Sequence, residues 1–494
     1  MGTMTFQLPA GLPPEIARDL ERSCVAGGPD NMPYPTRRVL QHNQLRLVRA
    51  ADESGYLVAP WRIDGAGHLM GSSATLMERP SYQLLVELSR GKVNQVRNQL
   101  ADWEANGLAV PDPLRALVRD AALEFGHGVC SGDPAVTADH ARRALELSHR
   151  VADDLARAYV EQVLQVRHQR QPKLDAALAC PLGPAIDTPD LAGELRRTFN
   201  RVTLPLSWHV VEAEETTYRW AEYDRLLGWA EANALEVAAG PLIDFSSALL
   251  PAWLWLWEGD LPSMATFMCR FVESAVRRYR ARVRRWQLTA ASNWANVLGL
   301  SEEELMGLTF RLGEAARQAD PSLELVLGIS QPWGEYMVGS ERTSPFIFAD
   351  NLIRSGLNLA AINLEIVMGV QGRGSYCRDL LDLSRLLDLY ALLGVPIQVT
   401  LGYPHSPEYD ADADPELAVG WGSWRGGYTP QAQADWAARF AALALSKTYV
   451  QAVQWAHFSD AEPHQFPACG LVDRHGTKQP ALGELQRLRA EHLP

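Results

Sequence analysis

Cysteine is scarce and scattered in this chain. Six occur in 494 residues, at Cys24, Cys130, Cys180, Cys269, Cys377 and Cys469, with no C-x-x-C pair and no zinc-ligand spacing to histidine. That pattern excludes a disulfide scaffold and a thiolate metal module, and leads us to expect inert thiols in a reducing compartment. Long apolar runs are missing too. The most apolar stretch, residues 248–257, holds Pro251 and is bracketed by Asp244 and Glu258, well short of the roughly 20 residues that span a bilayer. Positive charge is the minority sign: 46 Lys plus Arg stand against 59 Asp plus Glu, a formal net charge of −13. Such a field attracts neither phosphate backbones nor anionic lipid, so neither nucleic acid nor a membrane is an expected partner. The opening Gly2-Thr3-Met4-Thr5-Phe6 lacks a basic segment leading into an apolar one, which sets a cytoplasmic address as the expectation. No glycine fingerprint follows an early strand, so a dinucleotide site has no support and no cofactor is expected.

What is present suffices for large cores: 47% of the residues are hydrophobic and 21% charged. Over residues 1–80, short β-type runs such as Leu45-Arg46-Leu47-Val48 and Tyr56-Leu57-Val58 are punctuated by turns such as Gly65-Ala66-Gly67, which predicts a small β-rich domain. From Tyr82 to Arg170 the apolar residues fall at helical spacing, as in Leu145, Val151, Leu155 and Leu164. That predicts a helical connector. Pro172, Pro181, Pro184 and Pro189 then mark a linker, so residues 81–190 are read as connector plus linker. Beyond it, β-type runs (Arg201–Leu204, Leu235–Ala238, Trp286–Thr289, Leu323–Ile329, Leu359–Ile366, Val395–Leu401, Val450–Trp455) alternate with helical stretches. Alternation on this scale predicts an α/β fold, a (β/α)8 TIM barrel over residues 191–494, with a doubly wound sheet as runner-up.

Ordered motifs in this region resemble a known family. Phe199-Asn200, Trp208, Tyr218-x-Trp220-x-x-x-Asp224 and Leu227-Gly228-Trp229-Ala230-Glu231-Ala232-Asn233 are followed by Pro251-Ala252-Trp253, Arg285-Trp286-Gln287-Leu288 and Gly394-Val395-Pro396-Ile397-Gln398-Val399-Thr400. The end carries Val453-Gln454-Trp455, Ser459-Asp460, Gly470-Leu471-Val472-Asp473 and Lys478-Gln479-Pro480-Ala481-Leu482. Together they resemble glycoside hydrolase family 10, the xylanase-type barrels of clan A, which implies a carbohydrate substrate bound at the C-terminal face. The resemblance also implies a Glu after Asn at the end of strand four and a Glu after Thr at the end of strand seven. Here those places read Thr289-Ala290-Ala291-Ser292-Asn293 and Thr400-Leu401, without a carboxyl group. The first-strand segment, which in the family carries sugar-binding Glu, Asn and Lys, is Leu204-Pro205-Leu206-Ser207-Trp208.

Retaining hydrolysis needs two carboxyl groups about 5–5.5 Å apart, so other carboxylates at strand ends become the candidates. Glu365 lies in the apolar run Ala360–Ile366, where a glutamate is seldom buried unpaired. It reads either as a catalytic acid or as the partner of an arginine such as Arg373 or Arg378. Asp244 ends the third strand, as a second carboxylate or as a helix cap. Glu335 follows the fifth strand beside Gln331 and Trp333, a loop that suits sugar contact or a plain turn. Trp208, Trp333 and Trp455 make the expected stacking platform, with Asn293, Gln331, His457 and Asp460 as further substrate contacts. The spacing of His457, Asp460, Glu462 and His464 matches no ligand motif, so no metal is expected. Asp410-x-Asp412-x-Asp414 opens like a calcium loop, but Pro415 stands where glycine is required. The loop from Gly402 to Thr429, rich in aromatics and glycine, reads as a lid or as rim packing. Taken together, the reading is a glycoside hydrolase-like protein with relocated carboxylates, acting on or binding a carbohydrate or similar polar small molecule. A pseudoenzyme that binds sugar or scaffolds a partner is the alternative, and the oligomeric state is left open.

Overall fold

The computed structural model describes residues 2–9, 11–50, 53–76 and 79–494. Eight parallel strands close into a ring, joined by helices on the outside. In order they are Ala177–Pro181, Arg201–Leu204, Glu236–Ala239, Arg285–Ala290, Glu324–Ser330, Ala361–Val367, Ile397–Gly402 and Val450–Trp455. Each pairs with the next, and the eighth returns to the first through Val453 beside Leu178. A short extension of the third, Ile243–Asp244, also pairs with the fourth. This is the TIM barrel that the alternation predicts, and closure leaves the ring without an edge strand.

The first strand lies inside the segment read as linker, so the barrel begins upstream of residue 191, and Arg201–Leu204 is its second strand. Ala177-Leu178-Ala179-Cys180 is entirely buried. A strand covered on both faces has no polar alternation to announce it, and the flanking prolines resemble linker punctuation. Asn200 fastens the first two strands: its Oδ1 accepts from the Leu178 amide at 2.8 Å and its Nδ2 donates to the Ala176 carbonyl at 3.2 Å.

The N-terminal region is β-rich, as expected, and forms two sheets. One orders Arg37–Gln41, Gln44–Arg49, Gly2–Gln7 and Tyr82–Gln83; the other orders Gly67–Ser72, Tyr56–Ile63, Cys24–Gly27 and Met32–Pro33 behind Ser423–Trp424. That last strand comes from the loop after the seventh barrel strand, pairing Ser423 with His68 and Trp424 with Gly67. The loop read as a lid is therefore stitched into the N-terminal sheet, with Trp424 buried at 1% exposure.

Helices Leu84–Ala105, Asp112–Cys130 and Pro134–Arg170 form the connector. Asp133 caps the third, accepting from the Ala135 amide at 2.8 Å. Their shared core of Val96, Trp103, Leu114, Val118, Val151 and Leu155 includes Leu381 from the barrel helix Leu380–Ala391. Burying each such side chain contributes roughly 1.5–3 kcal/mol. The same junction is pinned by charge: Asp379, the cap of that barrel helix, pairs with the Lys92 ammonium and lies 3.0 Å from His149 Nδ1.

Candidate functional site

The C-terminal strand ends converge on a buried arginine. Beyond the sixth strand the chain makes a tight turn, Gly372-Arg373-Gly374. Gly372 adopts φ +89°, and a Cβ on Gly374 would sit 2.6 Å from the Val370 carbonyl oxygen. Arg373 is thereby aimed across the barrel mouth. Its Nε and Nη2 each donate to one oxygen of Glu365 at 2.8 Å. Its Nη1 donates to both Asp244 oxygens, at 2.9 and 2.8 Å, and to Ser246 Oγ at 2.7 Å. Two strands separate the third from the sixth in the ring, so this guanidinium bridges strand ends that do not pair. Arg373 is 3% exposed. Burial works against its charge, but Asp244 and Glu365 outweigh that and raise its pKa. Of the two readings that the sequence leaves open for Glu365, the geometry is that of the arginine partner.

Glu335 follows the same logic with the other arginine. Its Oε1 accepts from Arg378 Nη1 at 2.6 Å, and the Arg378 guanidinium lies over the Trp333 ring at 4.3 Å. Gln331 is 2% exposed and donates to the Gly372 carbonyl at 2.6 Å, so it supports the turn that carries Arg373. Asn293 is 3% exposed and staples the fourth strand end to the fifth. Its Nδ2 donates to the Ser330 carbonyl at 2.9 Å and its Oδ1 accepts from the Ser330 amide at 3.1 Å.

Two of the three tryptophans expected to stack on sugar are core residues. Trp208 donates to Glu212 Oε2 at 2.8 Å and is covered by Phe271, stacked at 5.4 Å, and Trp253, edge-on at 5.8 Å. Trp455 donates to the Cys469 carbonyl at 2.8 Å and packs on Trp436. Their strand-end positions gave the expectation, but neither turns a ring face to solvent. Trp333 differs: it lines a cleft of about 420 Å³ between the barrel, the helix Leu84–Ala105 and the N-terminal sheet. Tyr56, Asn94, Gln95, Arg378 and Asp382 also line it. Aromatic rings among amides and charged forks are the groups that stack on and hydrogen-bond a polyhydroxylated ligand.

A second cluster gathers beyond the seventh and eighth strands. His457 Nε2 lies 2.6 Å from Asp460 Oδ1, and His405 Nε2 lies 2.8 Å from Asp460 Oδ2. The Gly470 amide donates to Asp460 Oδ1 at 2.8 Å. His464 Nε2 is 3.0 Å from Asp410 Oδ2 and 3.8 Å from Asp460 Oδ1, and its ring stacks on that of His457 at 4.3 Å. Burial raises the Asp460 pKa, but bonds from His405 and His457 outweigh it and hold the carboxyl below its usual range. Burial lowers that of His457. Ligand atoms of His457, Asp460 and His464, three of the four residues whose spacing matches no ligand motif, all lie within 4.8 Å of one another. Sequence spacing gave no sign of Asp410 beside them, because it arrives from a different loop. Glu462 reaches back to the first strand end, where the Ala185 amide donates to it, and burial pushes its carboxyl up to about 7. A carboxyl in that range can donate a proton at neutral pH.

The basic run at residues 277–285 is paired with acids: Arg278 with Asp224, Arg282 with Glu231, and Arg285 with Glu324. The family-like Trp220 and Asp224 pack or bond here too, with Tyr279 Oη donating to Asp224 at 2.9 Å.

No curated protein matches the chain. Solved structures similar to it include native xylanase 10B from Thermotoga maritima, at 17% identity over 67% of this chain and 96% of that one, TM-score 0.48. Xylanase B from Clostridium stercorarium F9 is 16% identical over 63% of this chain and 96% of that one, TM-score 0.48. The intracellular xylanase TsXylA from Thermoanaerobacterium saccharolyticum JW/SL-YS485 is 14% identical over 64% and 96%, TM-score 0.48. No helix of the described residues is long and apolar enough to cross a membrane. Residues 176–328, which hold the first four barrel strands and most of the fifth, match the model of glycosyl hydrolase family 10.

Proposed function

We propose that this chain is a glycoside hydrolase-like, carbohydrate-binding protein in which Asp244 and Glu365 serve as arginine anchors rather than as hydrolytic acids. The family match over residues 176–328 and the closed barrel suggest a carbohydrate-acting function. The observation that carries the finer reading is Arg373, whose guanidinium engages both carboxylates at 2.8–2.9 Å. Glycosidic cleavage by a carboxyl pair needs one member protonated and room for a sugar between them. The forked guanidinium fills that space, donating to both carboxylates. The family's strand-four and strand-seven glutamate positions carry no carboxyl group here, so no alternative pair takes their place at those ends. Sugar then binds in the cleft of Trp333, Tyr56 and Asn94, where the barrel meets the N-terminal sheet.

The test is a thermal-shift and reducing-sugar assay of the full chain with a panel of xylo-, cello- and manno-oligosaccharides. Saturable stabilisation by one of them without product, reduced in Trp333→Ala, is the expected result, since a ligand preferring the native state raises Tm by mass action. Multiple-turnover release of reducing sugar, abolished by Glu365→Gln, would overturn the anchor reading in favour of relocated catalysis. Absence of stabilisation and product with every sugar would overturn the carbohydrate assignment.

A further inference from the structure

We propose that His457, His464, Asp460 and Asp410 form a binding site for a divalent transition ion of the zinc class, built from the loops after the seventh and eighth barrel strands. His464 Nδ1 lies 2.7 Å from the Glu462 carbonyl oxygen, which can only accept, so Nδ1 carries the hydrogen. In a neutral ring Nε2 is then a bare lone pair. Yet it faces Asp410 Oδ2 at 3.0 Å, an oxygen that already accepts from the Ala468 amide at 3.0 Å. Two lone pairs at that distance repel unless a positive charge lies between them.

A metal ion would supply that charge, and the donors to hold it are gathered around His464. The His457 ring is stacked on that of His464 at 4.3 Å, with the planes 22° apart. Asp460 Oδ1 completes the set, within 4.8 Å of both imidazole donors. His457 Nε2 lies 2.6 Å from Asp460 Oδ1, which accepts, so it carries the hydrogen of that bond. A cation bound between them would displace that hydrogen and take the Nε2 lone pair, since binding to such ligands releases protons. The outer contacts are those that orient ligands: a backbone carbonyl on His464 Nδ1, His405 at 2.8 Å from the second Asp460 oxygen, and backbone amides on Asp410 and Asp460. Two imidazoles with one or two carboxylates make a borderline donor set that suits zinc or cobalt better than calcium or magnesium.

The experiment uses untagged full-length protein, stripped with a chelator and titrated with Zn2+ by calorimetry, with bound metal counted by elemental analysis. Uptake of one equivalent by wild type, weakened at least tenfold in His464→Gln that retains the wild-type circular dichroism, is the expected outcome. Wild type without stoichiometric uptake, or a folded His464→Gln that binds equally well, would overturn the proposal. Should His464→Gln not fold, Co2+ added to wild type decides. Visible absorption bands at one equivalent support the nitrogen–oxygen site, and a spectrum of aqueous Co2+ alone refutes it.

Discussion

Arg373 and Glu365 meet as a fork on a fork: Nε and Nη2 of the guanidinium each donate to a separate carboxylate oxygen at 2.8 Å, while Nη1 turns away to Asp244. The arrangement ties the sixth strand end to the third, and both carboxylates depend on it for compensation. Removing one member of a buried ion network leaves charge uncompensated and costs about 3–5 kcal/mol. Arg373→Met should therefore lower stability by about that amount, read from the urea midpoint at unchanged m-value. Arg373→Lys, which cannot fork, should recover only part of the loss. A methionine variant within about 1 kcal/mol of wild type would mean that the carboxylates find water or protons instead.

Trp333 presents its ring to the cleft with Arg378 over it at 4.3 Å. Aromatic stacking of this kind contributes about 0.5–1.5 kcal/mol, so Trp333→Ala should weaken binding of the sugar found in the screen by roughly two- to tenfold. The exposed Asn94→Ala should weaken it with no loss of Tm. Calorimetric titration checks both. Unchanged affinity in the two variants would remove the ligand from this cleft.

Glu194 is held down to about 2 by hydrogen bonds from Arg197, Lys478 and Gln486, against an ordinary value of 4.5. A depressed carboxyl stabilises the native state above its unfolded pKa, and that contribution disappears as pH falls toward the folded value. Between about pH 4.5 and 2, wild type should therefore lose stability more steeply than Glu194→Gln. The two curves of urea midpoint against pH should converge at the acid end. Parallel curves would show that the pairing with Lys478 adds no net stability.

Asp379 couples the connector to the barrel through Lys92 and His149. Asp379→Ala leaves the Lys92 ammonium buried without its carboxylate and removes a helix cap, so a loss of about 3–5 kcal/mol is expected. Hydrogen exchange should localise the loosening to helices Leu84–Ala105 and Pro134–Arg170 as well as Leu380–Ala391. Protection unchanged in the two connector helices would show that apolar packing around Leu381 suffices to dock them.

The barrel was legible because its signal is local. Each strand is a short β-branched or aliphatic run followed by an amphipathic helix, as Ala361–Val367 is by Leu380–Ala391. The family resemblance was legible for a related reason. Asn200, Trp220 and Asp224 hold neighbouring strands and helices together. The first strand was hidden by its prolines and its unbroken burial. Trp208 and Trp455 were misplaced because a strand-end position does not state which way an indole turns.

By itself the sequence determined the order of elements, the β-rich opening and the helical connector, since period and identity are properties of neighbouring residues. Only the tertiary structure decided which charges meet. Asp244 and Arg373 are 129 residues apart in the chain, and His464 and Asp410 are 54 apart. Closure of the ring brings each pair within hydrogen-bonding distance in a buried setting where an uncompensated charge is costly. There the partner, rather than the residue type, sets whether a carboxylate is an acid, an anchor or a ligand.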